Sequence, residues 1–218
     1  NLGAYESPAV WPLLERPHGV EIEVCRLTDK TCPPRPLAMT SRLQCGIPKW
    51  FGTRWAPRAD VIIWIDASCI PTTCAVGWFL RHLGQADVAV FAHPERTTIL
   101  EEYAFMASRM ERPGETYLNS RYHSEWLDAE YTFIAEHGAQ HLPLYASTAF
   151  AYRTAPSRVR AALAECFLMK AMFCLHDQLA FPYVLHKHEC VVNVIPDNYM
   201  KCDALTFVRP SWRKRRSA

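Results

Sequence analysis

The residues best suited to chemistry are carboxylates that end apolar runs. Val61-Ile62-Ile63-Trp64-Ile65 is rich in β-branched side chains, too short for a membrane span, and stops on Asp66, with Ser68 just beyond. The run reads as a strand buried on both faces. In open α/β sheets the ligand crevice lies past the carboxyl ends of the strands, which puts Asp66 at the centre of a candidate site. An Asp in that position also serves as a turn residue or as the N-cap of the next helix. Asp177-Gln178 supplies a second carboxylate, either a proton acceptor facing a pocket or a helix cap. Asp29 ends an earlier strand, where an ordinary Asx-turn is the competing account. His93 and Arg96 lie between a strand and a helix, with Glu101 and Glu102 about a turn further on. The guanidinium fork of Arg96 suits orienting one of those carboxylates. Late in the chain, His186-x-His188-x-Cys190 follows Cys174 and His176, a set that includes zinc-ligand types at a spacing that matches no familiar finger.

The elements that must position these groups alternate between strand and helix patterns. Val20 to Leu27 alternates apolar and polar residues over its first half and reads as a strand. Cys32-Pro33-Pro34-Arg35-Pro36 is a loop, and Leu37 to Pro57 carries Arg42, Lys49 and Arg54 with little periodicity. Cys74 to Leu83 has helical spacing and stops at Gly84. Ala86 to Ala92 is a short buried strand, and Thr98 with Glu101 forms a capping box for a helix to about Met110. Tyr117 to His137 reads as one long amphipathic helix closed by Gly138. Leu144 to Arg153 is a strand or two with a bend. Pro156 opens a helix whose inward face is Val159, Leu163, Phe167, Ala171 and Cys174, a helix follows Asp177, and a last strand spans Cys190 to Ile195. Together they predict one α/β domain over 1–208, with a mostly parallel central sheet and helices on both faces.

Composition excludes several classes. The 218 residues fit one large domain, and the net charge of +2 says little about partners. The exception is the tail, 209–218, where Arg209, Arg213, Lys214, Arg215 and Arg216 surround Trp212 and suit phosphate groups of nucleic acid or a solvated terminus. Nine scattered cysteines suit buried thiols in a reducing compartment better than a disulfide framework. No stretch approaches the length of a membrane helix and no leader is visible, so a cytoplasmic protein is expected, or a viral one acting in the host cytoplasm. There is no G-x-G-x-x-G, P-loop or G-x-S-x-G, which argues against a Rossmann dehydrogenase, a P-loop kinase and an α/β-hydrolase.

Three motifs in order carry a resemblance over roughly Val20 to Ile195: Trp64-Ile65-Asp66-Ala67-Ser68, then His93-Pro94-Glu95-Arg96 with Glu101-Glu102, then Asp177-Gln178-Leu179-Ala180-Phe181-Pro182-Tyr183. The chain resembles a GT-A fold glycosyltransferase-like family that includes plant cell-wall glycosyltransferase-like proteins and bacterial and viral relatives. The resemblance implies sugar transfer from a nucleotide-sugar donor, with Mn²⁺ or Mg²⁺ neutralising the departing diphosphate. It implies metal contacts from Asp66, from Ser68 where the family's second acid stands, and from a late histidine such as His188. Ser68 in that place leaves either a metal site with few protein charges or a metal-independent enzyme. Asp29 would meet the base or ribose, Arg42 and Lys49 the diphosphate, and His93, Arg96 and Gln178 the rest of the donor. Asp177 would be the catalytic carboxylate. The acceptor implied is a glycan, with a hydroxymethylated base of viral DNA allowed by the basic tail. A module that keeps the fold and only binds a nucleotide or glycan is the rival reading.

Overall fold

The computed structural model describes residues 10–28, 31–32, 39–119 and 122–208. Helix α1 (Ser41–Trp50) leads through a short 3₁₀ turn to β1 (Val61–Ile65) and β2 (Cys69–Pro71). Then come α2 (Ala75–Leu83), β3 (Val88–Ala92), α3 (Ile99–Met110), α4 (Thr116–Asn119), α5 (Ser124–Glu136) and β4 (Tyr145–Arg153). The chain continues through α6 (Ser157–Met172), α7 (Asp177–Lys187), β5 (Val192–Ile195) and β6 (Leu205–Phe207).

The main sheet has the order β1-β4-β3-β5, and β2 pairs with β6 in a small antiparallel ribbon. The expected mostly parallel sheet needs correction: β4 runs antiparallel to both β1 and β3, and only β3 and β5 are parallel. An apolar run signals burial, not direction; direction depends on which end of the sheet each connection returns to. Helices do cover both faces. The larger core lies between one face and α1, α3, α4, α5, α6 and α7, and the smaller one between the other face, α2 and the β2–β6 ribbon.

β1 is not the doubly buried centre that its sequence suggests. It is the edge of the sheet, half-buried at all five positions, whereas Val88 to Phe91 of β3 are fully buried. Residues 20–28 form no strand, and Val24 is 47% exposed. Alternation marks a face that could join a sheet, and an extended segment outside a sheet is not a stable strand in water. Conversely, α1 forms where periodicity is weak. Thr40 caps it by accepting the Leu43 N–H, and Gly46 lets it pack closely on Phe167 of α6 despite Pro48 in its last turn. The single helix expected over 117–137 is two, α4 and α5.

β4 carries a bulge. Val90 pairs with Phe150 but Phe91 with Ala146, so Ser147, Thr148 and Ala149 oppose a single step of β3. Tyr145, Phe150 and Tyr152 face the larger core, and Ala146, Ala149 and Ala151 the smaller one. Strict alternation therefore fails between Ser147 and Thr148.

Candidate active site

Asp66 follows β1 directly, and its N–H extends the ladder to the Thr148 carbonyl at 2.8 Å. Trp64 and Asp66 share a face of the strand by their spacing of two, and the indole Nε1 donates to Asp66 Oδ1 at 2.6 Å. This is the face of the larger core, onto which α1, α6 and α7 pack. Lys49 arrives from the last turn of α1, with Nζ 2.8 Å from Asp177 Oδ2 and 3.8 Å from Asp66 Oδ1. Asp177 is the first residue of α7, where the helix dipole favours its charge. Lys170, near the end of α6, lies 3.6 Å from the same Oδ2, and Ser147 at the bulge accepts from Lys49 at 3.2 Å and donates to Asp177 Oδ1 at 3.1 Å.

Two lysines and two aspartates thus cancel formally in a small, mostly buried space. Lys49 and Lys170 are nearly inaccessible, while the Asp66 side chain keeps 37% of its exposure. Burial alone would raise the pKa of Asp177, but Lys49 and Lys170 outweigh it and hold the carboxyl well below the usual range. Burial also acts on Lys49, yet Asp177 and Asp66 leave it more firmly protonated than an ordinary lysine. Asp66 moves the other way: its desolvation outweighs Lys49 and the Trp64 N–H and raises its pKa.

A second group of charges joins the first through adjacent residues. Arg96 ion-pairs with the buried Glu102 and lies over the Phe105 ring at 3.9 Å, and Glu102 Oε1 is 2.8 Å from Nε2 of His176, the neighbour of Asp177. Arg96 therefore orients a carboxylate, as its fork suggests. Glu101 instead binds the Thr97 N–H at 2.6 Å, so only half of the expected capping box forms, with Thr98 Oγ1 accepting the Glu101 N–H. The Nδ1 of His93 accepts N–H groups of Glu95 and Arg96, and burial lowers its pKa, which favours the neutral ring.

Burial would raise the pKa of Glu102, but the His176 hydrogen bond and Arg96 bring it down from 4.5 to about 2. A carboxylate lowered in the folded state stabilises it above the unfolded pKa and loses that contribution as pH falls. Between pH 4.5 and about 2, wild type should therefore lose about 3 kcal/mol that Glu102→Gln does not lose. Parallel denaturant titrations across that range measure the difference; equal acid slopes would contradict it.

The other expected site residues are placed differently. Arg42 is half-buried two turns before Lys49 on α1, about 10 Å away along the axis. Gln178 is half-buried beside Asp177. Ser68 sits in the turn that the Cys69 N–H closes onto the Asp66 carbonyl, and its own carbonyl accepts the Val208 N–H. His188 ends α7, about 16 Å along the helix from Asp177, with Nε2 2.7 Å from Glu165, so its expected place beside Asp66 is corrected. The zinc alternative also falls away, because α7 is helical to Lys187 and carries His186 and His188 away from His176 at its start. Asp29 and the basic tail lie outside the described residues.

Lys170, Ser147 and Trp64 were not anticipated as site residues, and His176 only as a member of the zinc set. Lys170 had a signal: it continues the buried stripe Val159, Ala162, Leu163, Cys166 at helical spacing. A lone charge on an apolar face requires a buried partner.

A divalent cation is a poor fit to this arrangement. Among the described residues no group of three His, Cys, Asp or Glu side chains is placed to hold a metal ion. Asp66 Oδ1 already meets the Trp64 N–H and the Lys49 ammonium. A doubly charged ion about 4 Å from an ammonium is repelled by about 8 kcal/mol at the effective dielectric of a protein site. Comparison with protein-family models, with curated proteins and with solved structures gives no match.

Proposed function

We propose that the protein is a GT-A-like glycosyltransferase that uses a nucleotide-sugar donor at the charged cluster between the end of β1 and the start of α7. The observation that carries this reading is the convergence of Asp66, Lys49 and Asp177, residues far apart in the chain, into one ion-paired cluster. In inverting form, the acceptor oxygen bonds to the anomeric carbon as the bond to the diphosphate breaks. The electron pair leaves on the diphosphate, and the acceptor proton goes to the Asp177 carboxylate. Asp66, the more exposed acid, hydrogen-bonds donor hydroxyls. Positive charge from the lysines stabilises the departing diphosphate. The acceptor is a glycan, or a hydroxymethylated DNA base if the tail binds nucleic acid, and the setting is the cytoplasm. No helix among the described residues is long and apolar enough to cross a membrane.

One observation favours the second reading, a non-catalytic nucleotide- or glycan-binding module. A carboxyl held as low as Asp177 is a weak base. Release of free nucleoside diphosphate from a panel of nucleotide-sugars separates the two. The glycosyltransferase reading expects turnover that Asp66→Asn and Asp177→Asn each reduce by about 100-fold or more. Donor binding without release by wild type supports the module, and neither binding nor release overturns both.

A further inference from the structure

We infer that Lys49 stands where a divalent cation would bridge the two carboxylates, so that the site works without a metal and takes its fixed positive charge from Lys49 and Lys170. The inference rests on the reading of this cluster as a nucleotide-sugar site, but its geometry is independent of any sugar. Transfer from a diphosphate leaving group requires positive charge near the oxygens on which the electron pair arrives. A hard cation meets that need through carboxylate oxygens from two or more elements. Here the two suitable carboxylates, at the end of β1 and the start of α7, are joined by the Lys49 ammonium.

The surroundings fix the ammonium there. Ser147 accepts from it on one side, the Trp50 ring lies 4.9 Å away on another, and its side chain is only 6% exposed. Lys170 adds a second charge against the same Asp177 oxygen. Asp66, Asp177, Lys49 and Lys170 balance without a further ion, and a cation entering between the acids would have to displace Lys49. The missing second acid at Ser68 is then no defect, since an acid there would unbalance the set.

Manganese alone tests this, with the full chain and no donor. Wild type should leave the free Mn²⁺ signal in electron paramagnetic resonance unchanged up to about 1 mM metal, a range in which carboxylate-rich sites fill. Lys49→Met keeps the side-chain length, removes the charge and frees both carboxylates. It should bind Mn²⁺ at least about tenfold more tightly than wild type and melt higher when the metal is added. One-to-one Mn²⁺ binding by wild type that Asp66→Asn abolishes would overturn the inference. So would a folded Lys49→Met that binds no better than wild type. If Lys49→Met does not fold, Lys49→Gln, which also removes the charge but keeps a polar end for Ser147, takes its place in the same titration and is judged by the same two outcomes. Failure of the glycosyltransferase reading appears instead as absence of donor turnover, whatever the manganese result.

Discussion

Asp177→Asn is expected to lower the melting temperature by roughly 6–20 °C, from a loss of about 3–5 kcal/mol. The substitution leaves the side chain nearly isosteric and removes the charge that two buried ammonium groups face, at 2.8 and 3.6 Å. Breaking a buried pair from one side costs far more than the pair itself contributes, because the remaining charge stays desolvated. Asp66, at 3.8 Å from Lys49 and partly in solvent, compensates little of it. The loss should be asymmetric on the pair: adding Lys170→Met to Asp177→Asn should recover part of the stability, since it removes one of the stranded charges. Thermal melts of the single and double variants measure this. A double variant less stable than Asp177→Asn would show that Lys170 acts through packing and not through charge.

Glu130→Met should act in the opposite direction, raising stability by about 1–3 kcal/mol at neutral pH. Glu130 is fully buried in α5, and neither carboxylate oxygen makes a hydrogen bond of normal geometry. The Cys174 backbone N–H lies near enough to favour the charged form, as does Lys170, but desolvation and the negative charge of Asp177 dominate and push the pKa well above the ordinary 4.5. The folded protein therefore holds the Glu130 proton to higher pH than the unfolded chain does. An acid with a raised folded pKa favours folding below its unfolded value and penalises it progressively as pH rises. The advantage of Glu130→Met should accordingly be larger at pH 8 than at pH 5. A pH-independent difference would mean that Glu130 is ionised inside the fold.

Much of the site was legible because its acids interrupt apolar runs. Asp66 and Asp177 stand where an apolar strand ends and a buried helix begins, and both are in the cluster. Lys49 was legible only through resemblance, since Gly46 and Pro48 break the helical pattern of the helix that carries it. Packing against α6 decides that helix, and packing is invisible to local periodicity. The antiparallel course of β4 was hidden for a similar reason: its side-chain pattern is the same for either direction. His188 was expected near Asp66 only through the resemblance, which carries no information on where α7 takes its far end. Eleven residues of helix separate His188 from Asp177 by more than the width of a small ligand.

The irregular step in β4 has an evolutionary consequence. A strand without Ser147, Thr148 and Ala149, with unbroken alternation, would still turn Tyr145, Phe150 and Tyr152 towards one layer and Ala146 and Ala151 towards the other. The three inserted residues are therefore not demanded by the hydrophobic interior. One of them delivers a hydroxyl, Ser147, within reach of both Lys49 and Asp177. A lineage that deleted them would keep the two layers and lose the polar tether between Lys49 and Asp177, so length at this point records whether the cluster has been retained.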